Sequence, residues 1–151
     1  MPIYETQDDL KVEAQIAEDV AAYWHGAMRK LPEKYALDFA FMRVGVVRAF
    51  VEIKSRPDYS MEQFNSMGGY MLSLLKWERG QALCREAGVR FFLIVRCSDA
   101  TWYADLTMED VRRHRVGFFG GYKTPRRESD KEPVIYLRPG VFVRMSLGEE
   151  E

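Results

Sequence analysis

Cysteine and histidine are scarce, with two of each in 151 residues. Cys84 and Cys97 do not form a CxxC pair. Both lie in apolar stretches, so they read as reduced core thiols. His25 and His114 are too few for a histidine-rich metal centre. No GxxxxGK[ST] sequence is present, which argues against a nucleotide-binding P-loop. Gly117, Gly120 and Gly121 therefore read as loop glycines. No apolar run reaches about 18 residues, so no membrane span is expected. The first residues, Met1-Pro2-Ile3-Tyr4-Glu5-Thr6, lack the basic and apolar regions of a signal peptide, and the expected location is the cytoplasm. There is no internal repeat. The net charge is only −1, so affinity for nucleic acid does not follow from the total.

What is present points to one domain over residues 1–151, with a core at about 8–106. A basic loop and a β-rich extension follow at about 107–146. Hydrophobic residues make up 47% and charged residues 30%, a balance that supports a packed core rather than disorder. The charge is unevenly spread. Residues 111–127 hold Arg112, Arg113, Arg115, Lys123, Arg126 and Arg127 with no acid. Such a stretch is either a phosphate footprint or a solvated loop.

Apolar residues recur at spacings of three and four from Val12 to Leu31, which predicts a helix over 8–30 ended by Pro32. Strands are expected at 35–42 and 46–54. In the second, Val47, Ala49, Val51 and Ile53 share one face. Arg43-Val44-Gly45 between them suits a three-residue hairpin loop. Ser60 and Gln63 match a capping box, and a long helix should run from there to about Ala87. Gly68-Gly69 interrupts it with a kink or a close backbone approach. Gly88 ends it. An apolar strand at 89–97 and a further strand at 101–106 come next. A short helix at 108–115, a loop at 117–131 and a closing hairpin of 134–137 with 141–145 complete the reading.

Glu52 and Lys54 are two apart on a strand, so they leave the same face. The opposite face is wholly apolar. An acid beside a lysine at the end of such a strand suits metal-assisted phosphodiester hydrolysis. The carboxylate would hold Mg²⁺, a hard ion that prefers oxygen ligands, with Mn²⁺ as a substitute. The ammonium would orient water or offset charge developing on the phosphate. Asp38 can supply a second carboxylate. With a three-residue loop, Met42 pairs with Val46 and Asp38 faces the same side as Glu52. A two-residue loop reverses that parity. Helix phase adds Glu13, which projects into the apolar stripe of the first helix, whereas Glu18 points to solvent. A core-facing acid is costly unless it is paired or binds metal.

On these residues the chain resembles the PD-(D/E)xK nuclease superfamily over about 8–105. Asp38 matches the first acid, and Glu52 and Lys54 match the (D/E)xK. Glu13 is similar to the helix-one glutamate of many members. The resemblance implies an α/β (α+β) fold: a restriction-endonuclease-like core, a mixed sheet flanked by helices, here with a C-terminal β-hairpin extension. It implies a Mg²⁺-dependent deoxyribonuclease whose metal also takes the Ile53 backbone carbonyl. DNA is the implied partner, and resolvase-like members pair as homodimers. The small size and the Arg/Gly-rich extension resemble phage-encoded members acting in a bacterial host. Leu37 stands where the motif has proline, and only two strands are legible before the long helix. An edge strand is therefore expected to be displaced or to come from the extension.

Gln63 and Tyr70 resemble the accessory Gln and Tyr that members like the RecB family carry on the following helix. A capping box and core packing explain them equally. Lys76 and Arg79 either face nucleic acid or, as is commoner, form a solvated helix face, and Trp24, Trp77 and Trp102 read as core rather than base-stacking platforms. Two alternatives to a nuclease stay open: a non-catalytic nucleic-acid-binding or assembly module on the same fold, and an interaction protein with no nucleic-acid role.

Overall fold

The computed structural model describes residues 7–119 and 132–147. Helix α1 covers Gln7–Tyr23. It buries Ile16, Ala17 and Val20 against one face of the main sheet. The helix stops earlier than its apolar spacing suggests. His25 adopts a left-handed conformation (φ 58°), so it lies in the turn after α1. A Cβ on Gly26 would collide with the Met42 carbonyl and the Phe41 ring. The chain then turns back as strand β1, Ala27–Lys30, paired antiparallel with β2, Phe39–Arg43. Ala27 and Leu31 continue the three-and-four spacing by coincidence. The missing edge strand therefore precedes β2 directly, and it was hidden inside the expected helix.

Strand β3, Val46–Arg56, runs antiparallel to β2 and parallel to β5, Arg90–Cys97. Strand β6, Thr101–Asp105, and strand β9, Phe142–Met145, complete a six-stranded mixed sheet of order β1-β2-β3-β5-β6-β9. β3 and β5 are central and covered on both faces, which explains their nearly unbroken apolar runs. One face packs on α1 through Phe39, Phe41, Val51, Ile53 and Ile94. The other packs Leu37, Phe91, Leu93 and Val95 against Trp77 and Cys84.

The expected long helix is three elements. Helix α2, Met61–Ser66, starts with the predicted capping box of Ser60 and Gln63. Strand β4, Tyr70–Ser73, follows, and helix α3 covers Leu74–Ala87 with Gly88 left-handed at its end. Gly68 and Gly69, at φ 101° and 116°, break the helix. A Cβ on Gly69 would strike the Leu137 carbonyl, because β4 pairs with β8, Glu132–Leu137. β7, Arg115–Phe119, flanks β8 on its other side in this second, three-stranded sheet. The closing hairpin consequently does not form: β8 and β9 belong to different sheets. The helix expected at 108–115 reduces to a single 3-10 turn, Val111–Arg113.

The β2–β3 turn is a two-residue loop, because Arg43 pairs with Val46. Val44 and Gly45 both have positive φ, 53° and 72°, as a type I′ turn demands. By itself this parity would turn Asp38 away from Glu52. A bulge reverses it. Met42 pairs with Val47 but Phe41 pairs with Ala49, so Arg48 is the extra residue. Phe39 is then opposite Val51, and the register continues to Asp38 opposite Glu52. The parity condition is met by a bulge rather than by an odd loop.

Two substitutions test this backbone. Val44 is β-branched, left-handed and 93% exposed. Val44→Asn is expected to stabilise the protein by about 0.5–1 kcal/mol, because asparagine tolerates that region. Gly69→Ala is expected to cost at least about 2 kcal/mol from strain and collision together. Urea unfolding midpoints of both variants check these expectations. A neutral Gly69→Ala would contradict the close β4–β8 approach.

Candidate active site

Glu52 lies inside β3, paired with Leu93 of β5. Its side chain is 1% exposed, and both carboxylate oxygens are buried with no neutral hydrogen-bond donor. Two ammonium groups face it instead. Lys54 Nζ is 3.4 Å from Oε1, and Lys76 Nζ is 3.3 Å from Oε2. Lys54 arrives by the strand pleat. Lys76 arrives from the first turn of α3, where Ser73 Oγ accepts its backbone N–H at 3.4 Å. Lys76 Nζ also donates to the Ala36 carbonyl at 2.5 Å.

Asp38 sits immediately before β2 and is tied to both neighbours. Its N–H donates to the Val51 carbonyl (3.0 Å), and its carbonyl accepts from Leu31 N (2.8 Å). Its Oδ2 accepts the Ile53 N–H at 3.1 Å. Lys30 Nζ on β1 lies 3.8 Å from Oδ1. The β1 strand absent from the sequence reading thus brings a third lysine to the site.

These surroundings set the protonation states. Burial is the main cause that raises the Glu52 carboxyl to about 7. The Asp38 charge adds to it, and Lys54 and Lys76 oppose it. Burial alone would lower the Lys54 ammonium. Glu52, Asp38, Tyr70 and Glu13 outweigh that and hold it above its ordinary value. Lys54 therefore stays cationic.

Glu13 is buried, as the helix phase predicts, and Glu18 is exposed. The expected convergence of Glu13, Asp38 and Glu52 does not occur. Among the described residues no three His, Cys, Asp or Glu side chains form a cluster able to hold a metal. The reason is layering: α1 packs on the sheet face that carries Val51 and Ile53, whereas Glu52 faces the α3 side. Glu13 acts on the site electrostatically, through Lys54.

Tyr70 belongs to β4 rather than a helix. It is buried, and its phenol is raised by burial while interacting with Lys54 and Glu52. Gln63 is exposed and committed to the α2 cap, where its Oε1 accepts the Ser60 N–H at 2.8 Å. Arg112 is exposed and paired with Asp110 at 2.7 Å, an acid one residue before the basic stretch. Arg115 stands over the Tyr136 ring at 4.4 Å, and Arg113 is exposed. Lys123, Arg126 and Arg127 lie outside the described residues. What the sequence reading missed is the place of Lys76 beside Glu52, and Lys30 altogether. Treating 60–87 as one helix put Lys76 on a solvated face. The signals against that were the Gly68-Gly69 break and Ser73, an N-cap three residues before it.

A family model described as "Phage putative PDDEXK endonuclease" (PDDEXK_14) matches residues 1–145. The chain belongs to this phage PDDEXK endonuclease family. No curated protein matches it. Among solved structures it is similar to Hjc, a Holliday junction resolvase from the archaeal hyperthermophile Archaeoglobus fulgidus. That match has a TM-score of 0.59 and 10% identity, and covers 93% of each chain. At this identity the likeness is one of fold. It agrees with a restriction-endonuclease-like core in which a mixed sheet is flanked by helices.

For this PDDEXK family member the donor chemistry fits a hard divalent ion. Asp38 and Glu52 offer carboxylate oxygens, and both Glu52 oxygens are buried with no neutral hydrogen-bond donor. Such atoms are costly unless cations face them, as Lys54 and Lys76 do here, and a hard divalent ion suits the same oxygens.

The raised Glu52 carboxyl gives a pH signature in metal-free protein. The folded state holds this proton more tightly than the unfolded chain, where the ordinary value is 4.5. The resulting stability is full below that value and is lost as pH rises through about 7. The loss is on the order of 3 kcal/mol. Urea unfolding between pH 5 and 8 in chelator should show stability falling, and Glu52→Gln should remove most of the slope. An unchanged slope in Glu52→Gln would assign the titration to another group.

Proposed function

We propose that this protein is a divalent-metal-dependent nuclease that hydrolyses DNA phosphodiester bonds. The observation that carries this reading is the buried Glu52 carboxylate in register with Asp38 and flanked by Lys54. Asp38, Glu52 and the Ile53 backbone carbonyl would hold the ion, with Mg²⁺ as the natural choice and Mn²⁺ as a substitute. A bound ion of this kind supplies Lewis-acid polarisation of the phosphate and an acidified water.

The chain's own residues do the rest. Lys54 keeps its ammonium on the Glu52 face, where it orients the attacking water and offsets charge growing on phosphate oxygens. Glu52 and then Asp38 do most to hold that ammonium above its ordinary value, and Glu13 adds the smallest contribution. The Ile53 N–H fixes Asp38 through Oδ2. DNA as substrate is supported by the family and by the fold shared with a Holliday junction resolvase. Arg112, Arg113 and Arg115, with Lys123, Arg126 and Arg127, would contact phosphates and make binding fall steeply with salt.

A second reading has one observation in its favour. The Glu52 charge is already met by two lysines, an arrangement that also serves a non-catalytic DNA-binding module on this fold.

Purified protein is expected to cut DNA with Mg²⁺ or Mn²⁺ and to lose cutting in chelator. Lys54→Ala should lower the rate roughly 10²- to 10³-fold while DNA binding at low salt persists. Wild-type cutting rates in Lys54→Ala would sink the assignment. DNA binding without any metal-stimulated cutting would favour the second reading.

A further inference from the structure

Lys54 and Lys76 are not equivalent partners of Glu52. Lys54 shares a strand with Glu52, so the pleat keeps the two together whatever else binds. Lys76 reaches in from another element. Its ammonium spans Glu52 Oε2 at 3.3 Å and the Ala36 carbonyl at 2.5 Å. Ala36 is two residues before Asp38, so this one ammonium bridges the two segments that carry the carboxylates. It stands against Oε2, whereas Lys54 stands against Oε1, and no other partner is present at Oε2 among the described residues.

We propose that Lys76 is a resident counter-ion that occupies part of the metal position, and that a divalent ion must displace it to bind. This rests on the metal-dependent reading above and assigns Lys76 a role in setting metal affinity. A divalent ion and an ammonium cannot both sit against Oε2 without strong repulsion, because the site is buried and poorly screened. The Ala36 carbonyl gives the displaced ammonium a hydrogen-bond acceptor to retain. Lys76 is thus a positioning residue: it holds Glu52 and the Asp38 segment in place before the ion arrives, and it weakens the ion's binding by competing for one oxygen.

Calorimetric titration of Mn²⁺ into the whole protein, without DNA, tests this. Lys76→Met keeps the aliphatic stem and removes the charge. Lys76→Gln removes the charge while keeping a donor for Ala36, and it serves if the first variant fails to fold by circular dichroism. Lys76→Arg restores a cation. The neutral variants should bind Mn²⁺ at least about tenfold more tightly than wild type, and Lys76→Arg should return towards wild type. Binding seen only in the neutral variants would support the proposal in its strongest form. Equal or weaker binding in the neutral variants, with wild type binding normally, would overturn the role of Lys76 and leave the metal site standing. No binding in any variant would overturn the metal reading itself, and the counter-ion role with it.

Discussion

An ionisable carboxyl buried at the centre of a sheet constrains everything around it. Glu52 lies where β3 is covered on both faces, beside Phe50, Val51 and Ile53 and opposite Leu93. An isolated carboxylate there would be neutralised or would unfold the site. The structure meets it with cations from two elements, one on the same strand and one at the start of α3. The separation of α2 from α3 is part of that arrangement. A continuous helix from Ser60 would not place Lys76 in the first turn of a helix capped by Ser73. Gly68 and Gly69 permit the break, and β4 uses it to recruit a second sheet. The fold's least regular segment is thus coupled to the charge balance of its most buried acid.

The bulge at Arg48 has similar reach. A strand pair has only two parities, and one extra residue exchanges them. Here the tight Val44-Gly45 turn and the bulge each shift the register, and together they leave Asp38 across from Glu52. Arg48 is exposed, near the hairpin end. The irregularity therefore costs no core packing, while its consequence appears in the interior, four residues along the strand.

Local chemistry was legible in the sequence where the signal was short-ranged. The Ser60–Gln63 capping box, the Gly88 stop, the apolar faces of β3 and β5, and the choice of Glu13 over Glu18 all follow from neighbours within a few residues. Non-local signals were not legible. The β1 strand was concealed because four residues of strand can imitate the last turn of a helix when their apolar spacing happens to agree. The separation of β8 from β9 depends on β4, which pairs with β8 from more than 60 positions away, and no local pattern encodes that pairing. Lys76 was lost for the same reason: its face is defined by a helix that starts at Leu74, so an error in the start gave the wrong phase. Glu13 shows the limit from the other side. Its burial was readable, but its layer, with α1 on the sheet face that carries Val51 and Ile53, was not.

The charges near the site add one further argument. Lys30, Lys54 and Lys76 face Asp38 and Glu52, and Glu13 adds a small raising influence on Lys54. The carboxylates are held by groups of graded permanence. Lys54 is fixed by the strand. Lys30 is half-exposed at 3.8 Å on an edge strand, so solvent screens it. Lys76 is close but comes from a separate helix and has a second acceptor in Ala36. On the proposed function, an entering cation would meet the least resistance by replacing the partner that has somewhere else to bond. An entering phosphate would be drawn by the ammonium groups that remain. The same lysines that make a buried Glu52 tolerable in the empty site would then provide positive charge for an anionic substrate once a metal has taken over the carboxylates, so folding and phosphate recognition would draw on one set of residues.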